Sequence, residues 1–166
     1  MRARSLLLTL GLFAFAGSAM AAPVGSVEVR FIEPDRYSDA NNRFESGIGP
    51  KATLAELRRL IDQAASPLLA PDERLVVDVL DVDLAGFPNP GANFPYGLRV
   101  VTDATPPSFR FRYTLTTSRG QRVAAGEERL TDVNFLLGAR SAQSSSFPYE
   151  RELLRDWARR RFAGRR

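Results

Sequence analysis

Three aspartates on one short run are the first residues that could do chemistry. Asp78, Asp81 and Asp83 lie within LVVDVLDVDLAG, residues 75–86. If the run is a strand, side chains alternate between its faces, so Asp81 and Asp83 share a face and their carboxylates lie close. Hard cations such as calcium gather several such oxygens, and Asp103 or Glu33 could add more where strand ends converge. The plainer expectation is that these are strand-end carboxylates, bonded to loop amides or paired with Arg99, Arg110 or Arg112. Asp78 falls on the face read as apolar, where an unpaired charge is costly. A second candidate is the loop GFPNPGANFPYG at 86–97, in which Phe87, Phe94 and Tyr96 form either a platform for a sugar, peptide or protein, or a cap folded over the core. A third is Arg110 and Arg112 beside Thr114 and Thr116, with Arg122, a basic strip suited to anions or simply the wet side of a sheet. Adjacent Glu127 and Glu128 point to opposite faces of a strand and make no carboxylate pair of the kind glycoside hydrolysis uses.

What is missing narrows the field further. The chain has no His and no Cys. Ser-His and Cys-His nucleophile systems, imidazole acid–base work and nearly all zinc, copper and haem sites are therefore closed. Neither a disulfide nor acylation on a Cys is available. Catalysis would fall to carboxylates, Tyr, Ser/Thr, Arg or Lys51, the only lysine. The sequence calls for no metal and no cofactor.

The N-terminus supplies an address. Arg2 and Arg4 precede the uncharged run Leu6–Ala16, and Ala19-Met20-Ala21 has the small-x-small form of an export cleavage site. The apolar run is too short for a spanning helix, which needs about 20 residues. The expected division is a cleavable signal at 1–21 and one domain over 22–166, exported to the periplasm. Cleavage removes two arginines from a formal charge of +4. The remainder is too small a charge to argue for nucleic acid.

The elements that must position these residues follow from periodicity. Val27, Val29 and Phe31 alternate with Glu28 and Arg30 in a strand ended by Pro34. Residues 35–50 read as a loop. A helix is expected from Thr53 to Ser66, with Thr53 and Glu56 spaced as a capping box, Leu54, Leu57, Leu60, Ile61 and Ala64 as its stripe, and Pro67 as its stop. Strands follow at Leu75–Leu84 and Leu98–Thr102. Phe109, Phe111, Tyr113 and Leu115 alternate with polar residues, turn through Ser118-Arg119-Gly120-Gln121 and return over Arg122–Leu130 as a hairpin. Tyr149–Phe162 closes the chain as a helix with Leu153, Leu154, Trp157 and Phe162 inward. The sum is an α+β domain: a mostly antiparallel sheet of about five strands, mixed if the first strand–helix–strand unit is a parallel crossover, with two main helices on one face.

Four segments in this order, VEVRFIEPDRYSDA (27–40), LVVDVLDVDLAG (75–86), PPSFRFRYTLTTSRGQRVAAGEERLTD (106–132) and YERELLRDW (149–157), resemble the domain-of-unknown-function 3016 family of exported bacterial proteins. The resemblance implies a signal peptide, a periplasmic address and a fold, and it brings no activity and no catalytic residues. The functional expectation is a non-catalytic module that binds an envelope protein or glycan through the aromatic loop and the basic sheet face. One alternative is a carboxylate-based hydrolase of glycans with Asp81 or Asp83 as acid or base. Another is a membrane-surface protein in which the Arg-rich helix 151–166 lays Trp157 and Phe162 into the interface.

Overall fold

The computed structural model describes residues 25–39, 49–88, 99–138 and 146–165. Phe94 and Tyr96, residues 1–24, which hold the expected signal, and most of the Ser-rich stretch after Arg140 lie outside the described residues. Strand β1 (Ser26–Phe31) is followed by a 3-10 turn at Pro34–Arg36 and, further on, by helix α1 (Pro50–Ala65). Strand β2 (Glu73–Asp83) follows, then the two-residue strands β3 (Phe87–Pro88) and β4 (Arg99–Val100). The hairpin β5 (Ser108–Thr117) and β6 (Arg122–Thr131), a four-residue helix α2 (Phe135–Gly138) and helix α3 (Pro148–Phe162) complete the chain.

The main sheet has the order β1-β2-β5-β6, with β1 parallel to β2 and the other pairs antiparallel. It is the mixed form of the expected α+β fold. The predicted strand around Arg99 does not join it; β4 pairs only with β3, in a separate small ladder. Helices α1 and α3 cover one face. Trp157 sets its ring edge against Phe111 at 4.6 Å and against Phe162 at 5.3 Å, and Tyr113 closes on Phe162 at 5.9 Å. Each such pair is worth about 0.5–1.5 kcal/mol beyond its buried area. Across from Tyr113 on the edge strand stands Gly126, where an added Cβ would come within 3.2 Å of the ring. The ring thus covers a residue that could not cover itself. At the hairpin turn Gly120 takes φ +77°, the left-handed value that glycine adopts without strain.

Helix α1 starts three residues before the capping-box expectation. Pro50 occupies its first turn, where the missing N–H costs nothing, and Gly49 is the N-cap. Thr53 is therefore interior and its hydroxyl donates back to the Gly49 carbonyl at 2.9 Å. Glu56 meets Arg59 instead of a backbone N–H.

The decisive local feature is in β2. Its ladder with β5 runs Val77↔Tyr113, Asp78↔Arg112, Val79↔Phe111, then Asp81↔Arg110 and Val82↔Phe109. Leu80 is an extra residue, a β-bulge, and it reverses the phase of the strand. Before it, Leu75, Val77 and Val79 face the helices; after it, Val82 and Leu84 do. All three aspartates are left on the opposite face, which is helix-free among the described residues. This corrects the placement of Asp78 on the apolar face: the apolar residues on both sides of the run conceal which phase is buried.

Candidate functional site

The helix-free face is a checkerboard of charge. One row crosses the sheet as Arg30, Asp78, Arg112 and Glu127. The next holds Asp81, Arg110 and Arg129, and the last Asp83, Ser108 and Thr131. The expected basic strip is thus interleaved with carboxylates. Arg30 lies 2.7 Å from Glu28 and 3.8 Å from Asp78. Glu28 is also bonded by Arg74, and these two guanidinium contacts, Arg30 first, hold its carboxyl below the usual range. Arg110, Arg112 and Arg129 have no ion pair within 4.0 Å among the described residues.

The three aspartates do three different things. Asp78 faces Arg30. Asp81 accepts the Ser38 N–H at 2.7 Å and the Ser38 hydroxyl at 2.8 Å. It pins residues 37–39 along the part of β2 that β1 no longer reaches. Tyr37 aids it by donating its hydroxyl to the Val79 carbonyl at 2.7 Å. Asp83 looks into a cleft. No three carboxylates stand close enough to share a cation among the described residues.

That cleft has a volume of about 430 Å³ and is lined by Asp83 of β2, Ser108 of β5 and Thr131 of β6, with walls from Asp39, Leu84, Gly86, Phe87 and Ala104–Pro106. The size is that of a small-molecule site. Phe87 stands with 44% of its surface exposed. Burial pushes the Asp83 carboxyl up, and the nearby negative charge of Asp39 adds to the rise against the opposing pull of Arg99.

Behind the wall is a cluster that sequence reasoning did not assemble. Arg99 donates from Nε to the Ala85 carbonyl at 2.9 Å and from Nη2 to the Gly86 carbonyl at 2.6 Å. It also meets Asp39 at 3.2 Å. Asp39 is 1% exposed and accepts the Leu84 N–H at 3.2 Å. Glu150, 2% exposed in the first turn of α3, accepts the Ala85 N–H at 2.8 Å. Desolvation raises its carboxyl strongly enough to outweigh that bond. Gly86 sits at φ +77°, and a Cβ there would lie 2.4 Å from the Val100 carbonyl oxygen. Its N–H reaches the Thr105 carbonyl at 3.1 Å, joining two walls of the cleft. Thr105 in turn is held by Thr102, whose N–H it accepts at 3.0 Å. Asp39, residues 84–86, Arg99 and Glu150 come from four distant segments, so no local spacing marks them. The available signal was weak: a carboxylate in the first turn of a helix.

Two arginines near the end of the chain pair back onto the strands. Arg161 pairs with the inward-pointing Glu128 at 2.5 Å, and Arg165 with Glu73 at 3.2 Å. Trp157 and Phe162 are 1% and 2% exposed. The rings that a membrane-surface role would lay into lipid are thus spent in the core, which corrects that alternative.

A model of the family described as a protein of unknown function, DUF3016, matches residues 25–160. No curated protein matches the chain. Among solved structures, a minor lipoprotein from Acinetobacter baumannii aligns at 11% identity over 82% of this chain and 88% of that one, with a TM-score of 0.19, too low to carry an argument.

Proposed function

The chain belongs to the DUF3016 family, which carries no assigned activity, and from that premise we propose that it is an exported periplasmic binding domain whose ligand site is the cleft at the end of β2. The export reading rests on the N-terminal sequence, the site reading on the structure. The observation that carries the latter is a pocket of about 430 Å³ with one reachable carboxylate, Asp83, at its base and an exposed ring, Phe87, in its wall. Binding is favoured over hydrolysis for a geometric reason. Two-carboxylate hydrolysis needs both groups to reach the substrate. Here Asp39 is buried against Arg99 and the Leu84 N–H, and Asp81 is occupied by Ser38. Among the described residues of the cleft, Asp83 alone is left to meet a ligand.

Backbone NMR of the purified protein tests this. Low-molecular-weight periplasmic extract should shift the amides of Phe87, Ser108 and Thr131. Ser108→Trp, which fills the cleft from a solvent-facing position, should abolish those shifts while leaving the circular dichroism spectrum unchanged. Shifts that map elsewhere, or that survive Ser108→Trp, would sink the reading.

A further inference from the structure

The charges around the cleft are arranged in two neighbouring rows of opposite sign. Its lining contains Asp39 and Asp83 and no Lys or Arg among the described residues. Arg99, which backs it, is 10% exposed and directs its guanidinium at the carbonyls of Leu84, Ala85 and Gly86. The base of the cleft is therefore anionic, with Phe87 adding a ring face that attracts a cation.

One row further along the same sheet face, Arg110 of β5 lies directly across from Arg129 of β6. Like charges in that relation destabilise a sheet. The carboxylate that shares their row, Asp81, is consumed by the backbone and hydroxyl of Ser38. Both arginines are exposed and neither has an ion pair among the described residues. An anion between them would relieve a repulsion that the fold otherwise carries.

Residues two apart on a strand are separated by about 7 Å. The anionic row (Asp83) and the cationic row (Arg110, Arg129) are thus about one extended dipeptide apart, since a residue spans at most about 3.6 Å. We infer that the ligand is a small zwitterion of dipeptide length, its ammonium seated by Asp83 and Phe87 and its carboxylate met by Arg110 and Arg129. This rests on the cleft being the binding site and adds what the cleft selects.

Isothermal titration of the purified protein with leucylalanine, its methyl ester, its N-acetyl form and a neutral trisaccharide tests the charge pattern. Each charge-assisted contact justifies a factor of about ten, so the free dipeptide should bind at least about tenfold tighter than either blocked form. Asp83→Asn should weaken the dipeptide and the ester but not the N-acetyl form. Arg110→Gln with Arg129→Gln should weaken the dipeptide and the N-acetyl form but not the ester. Thermal unfolding no lower than the parent's would confirm that the fold is retained, and the double arginine variant should unfold at the same or a higher temperature because the repulsion goes with it. Equal binding of the three peptides, binding of the trisaccharide alone, or no binding by any probe would overturn the inference. If extract still shifts the cleft amides in those cases, the cleft reading stands without it; if extract shifts nothing there, both fall.

Discussion

Two regions of this molecule are built from the same side chains and behave as opposites. On the sheet face, Arg30, Asp78, Arg112 and Glu127 stand in one row, in which Arg30, Arg112 and Glu127 are exposed and Asp78 is half-buried beside Arg30. Beyond the end of the same central strand, Asp39, Arg99 and Glu150 close over residues 84–86 away from water. In that row the exposed charges, Arg112 and Glu127 above all, are nearly interchangeable with solvent. In the closed cluster each charge is fixed by what else is buried, because desolvation costs several kcal/mol per ion and must be offset by partners in good geometry. The residue types do not differ between the regions; burial does.

Removing the buried cation should therefore have the largest effect. Arg99→Met leaves Asp39 without its guanidinium and deprives the Ala85 and Gly86 carbonyls of donors, and should destabilise the fold by about 3–5 kcal/mol in urea unfolding. Adding Asp39→Asn to that variant should recover part of the loss, since the orphaned charge goes with it. A cost below about 1 kcal/mol for Arg99→Met would erase the distinction between the two regions.

The pH profile sharpens the same contrast. Burial raises the Glu150 carboxyl above its ordinary 4.5. Between 4.5 and its raised value the folded chain holds a proton that the unfolded chain has released. This group's contribution is therefore fully present below 4.5 and is lost as pH rises through the folded value. Glu150→Gln keeps an oxygen for the Ala85 N–H and cannot titrate. Its stability relative to the parent should climb with pH across that window, by at most about 1.4 kcal/mol per unit. Denaturant titrations of the two proteins that run parallel at every pH above 4.5 would contradict it.

The sequence disclosed these regions unequally, and the reason is how far apart their parts lie. The hairpin was legible because Phe109, Phe111, Tyr113 and Leu115 alternate without a break and Gly120 permits the turn. The inward stripe of α3 was legible from its helical spacing. The three aspartates were found, yet their faces were not, because one unpaired residue at Leu80 shifts the phase of a strand that is apolar on both sides. The start of α1 was missed because Thr53 with Glu56 mimics a cap, while Pro50 sets the first turn. The buried cluster was invisible for a stronger reason. Its closest hydrogen bond to α3 joins Ala85 to Glu150, 65 residues away, and only tertiary packing brings such groups together.

The smallest effect belongs to the open row, and it is as informative as the largest. Arg112 is exposed between Asp78 and Glu127 in register, with no ion pair within 4.0 Å among the described residues. Even at 4 Å, two unit charges in water attract by only about 1 kcal/mol, and side-chain freedom is lost in holding them together. Arg112→Gln should therefore change stability by less than about 0.5 kcal/mol. Salt separates the regions independently of magnitude. At 1 M the screening length falls to about 3 Å, so whatever Arg112 contributes should vanish there, while the effect of Arg99→Met, between groups that ions do not reach, should persist. A cost above about 1.5 kcal/mol for Arg112→Gln, or one that resists salt, would break the comparison, because a charge behaves that way only where water has been excluded from it.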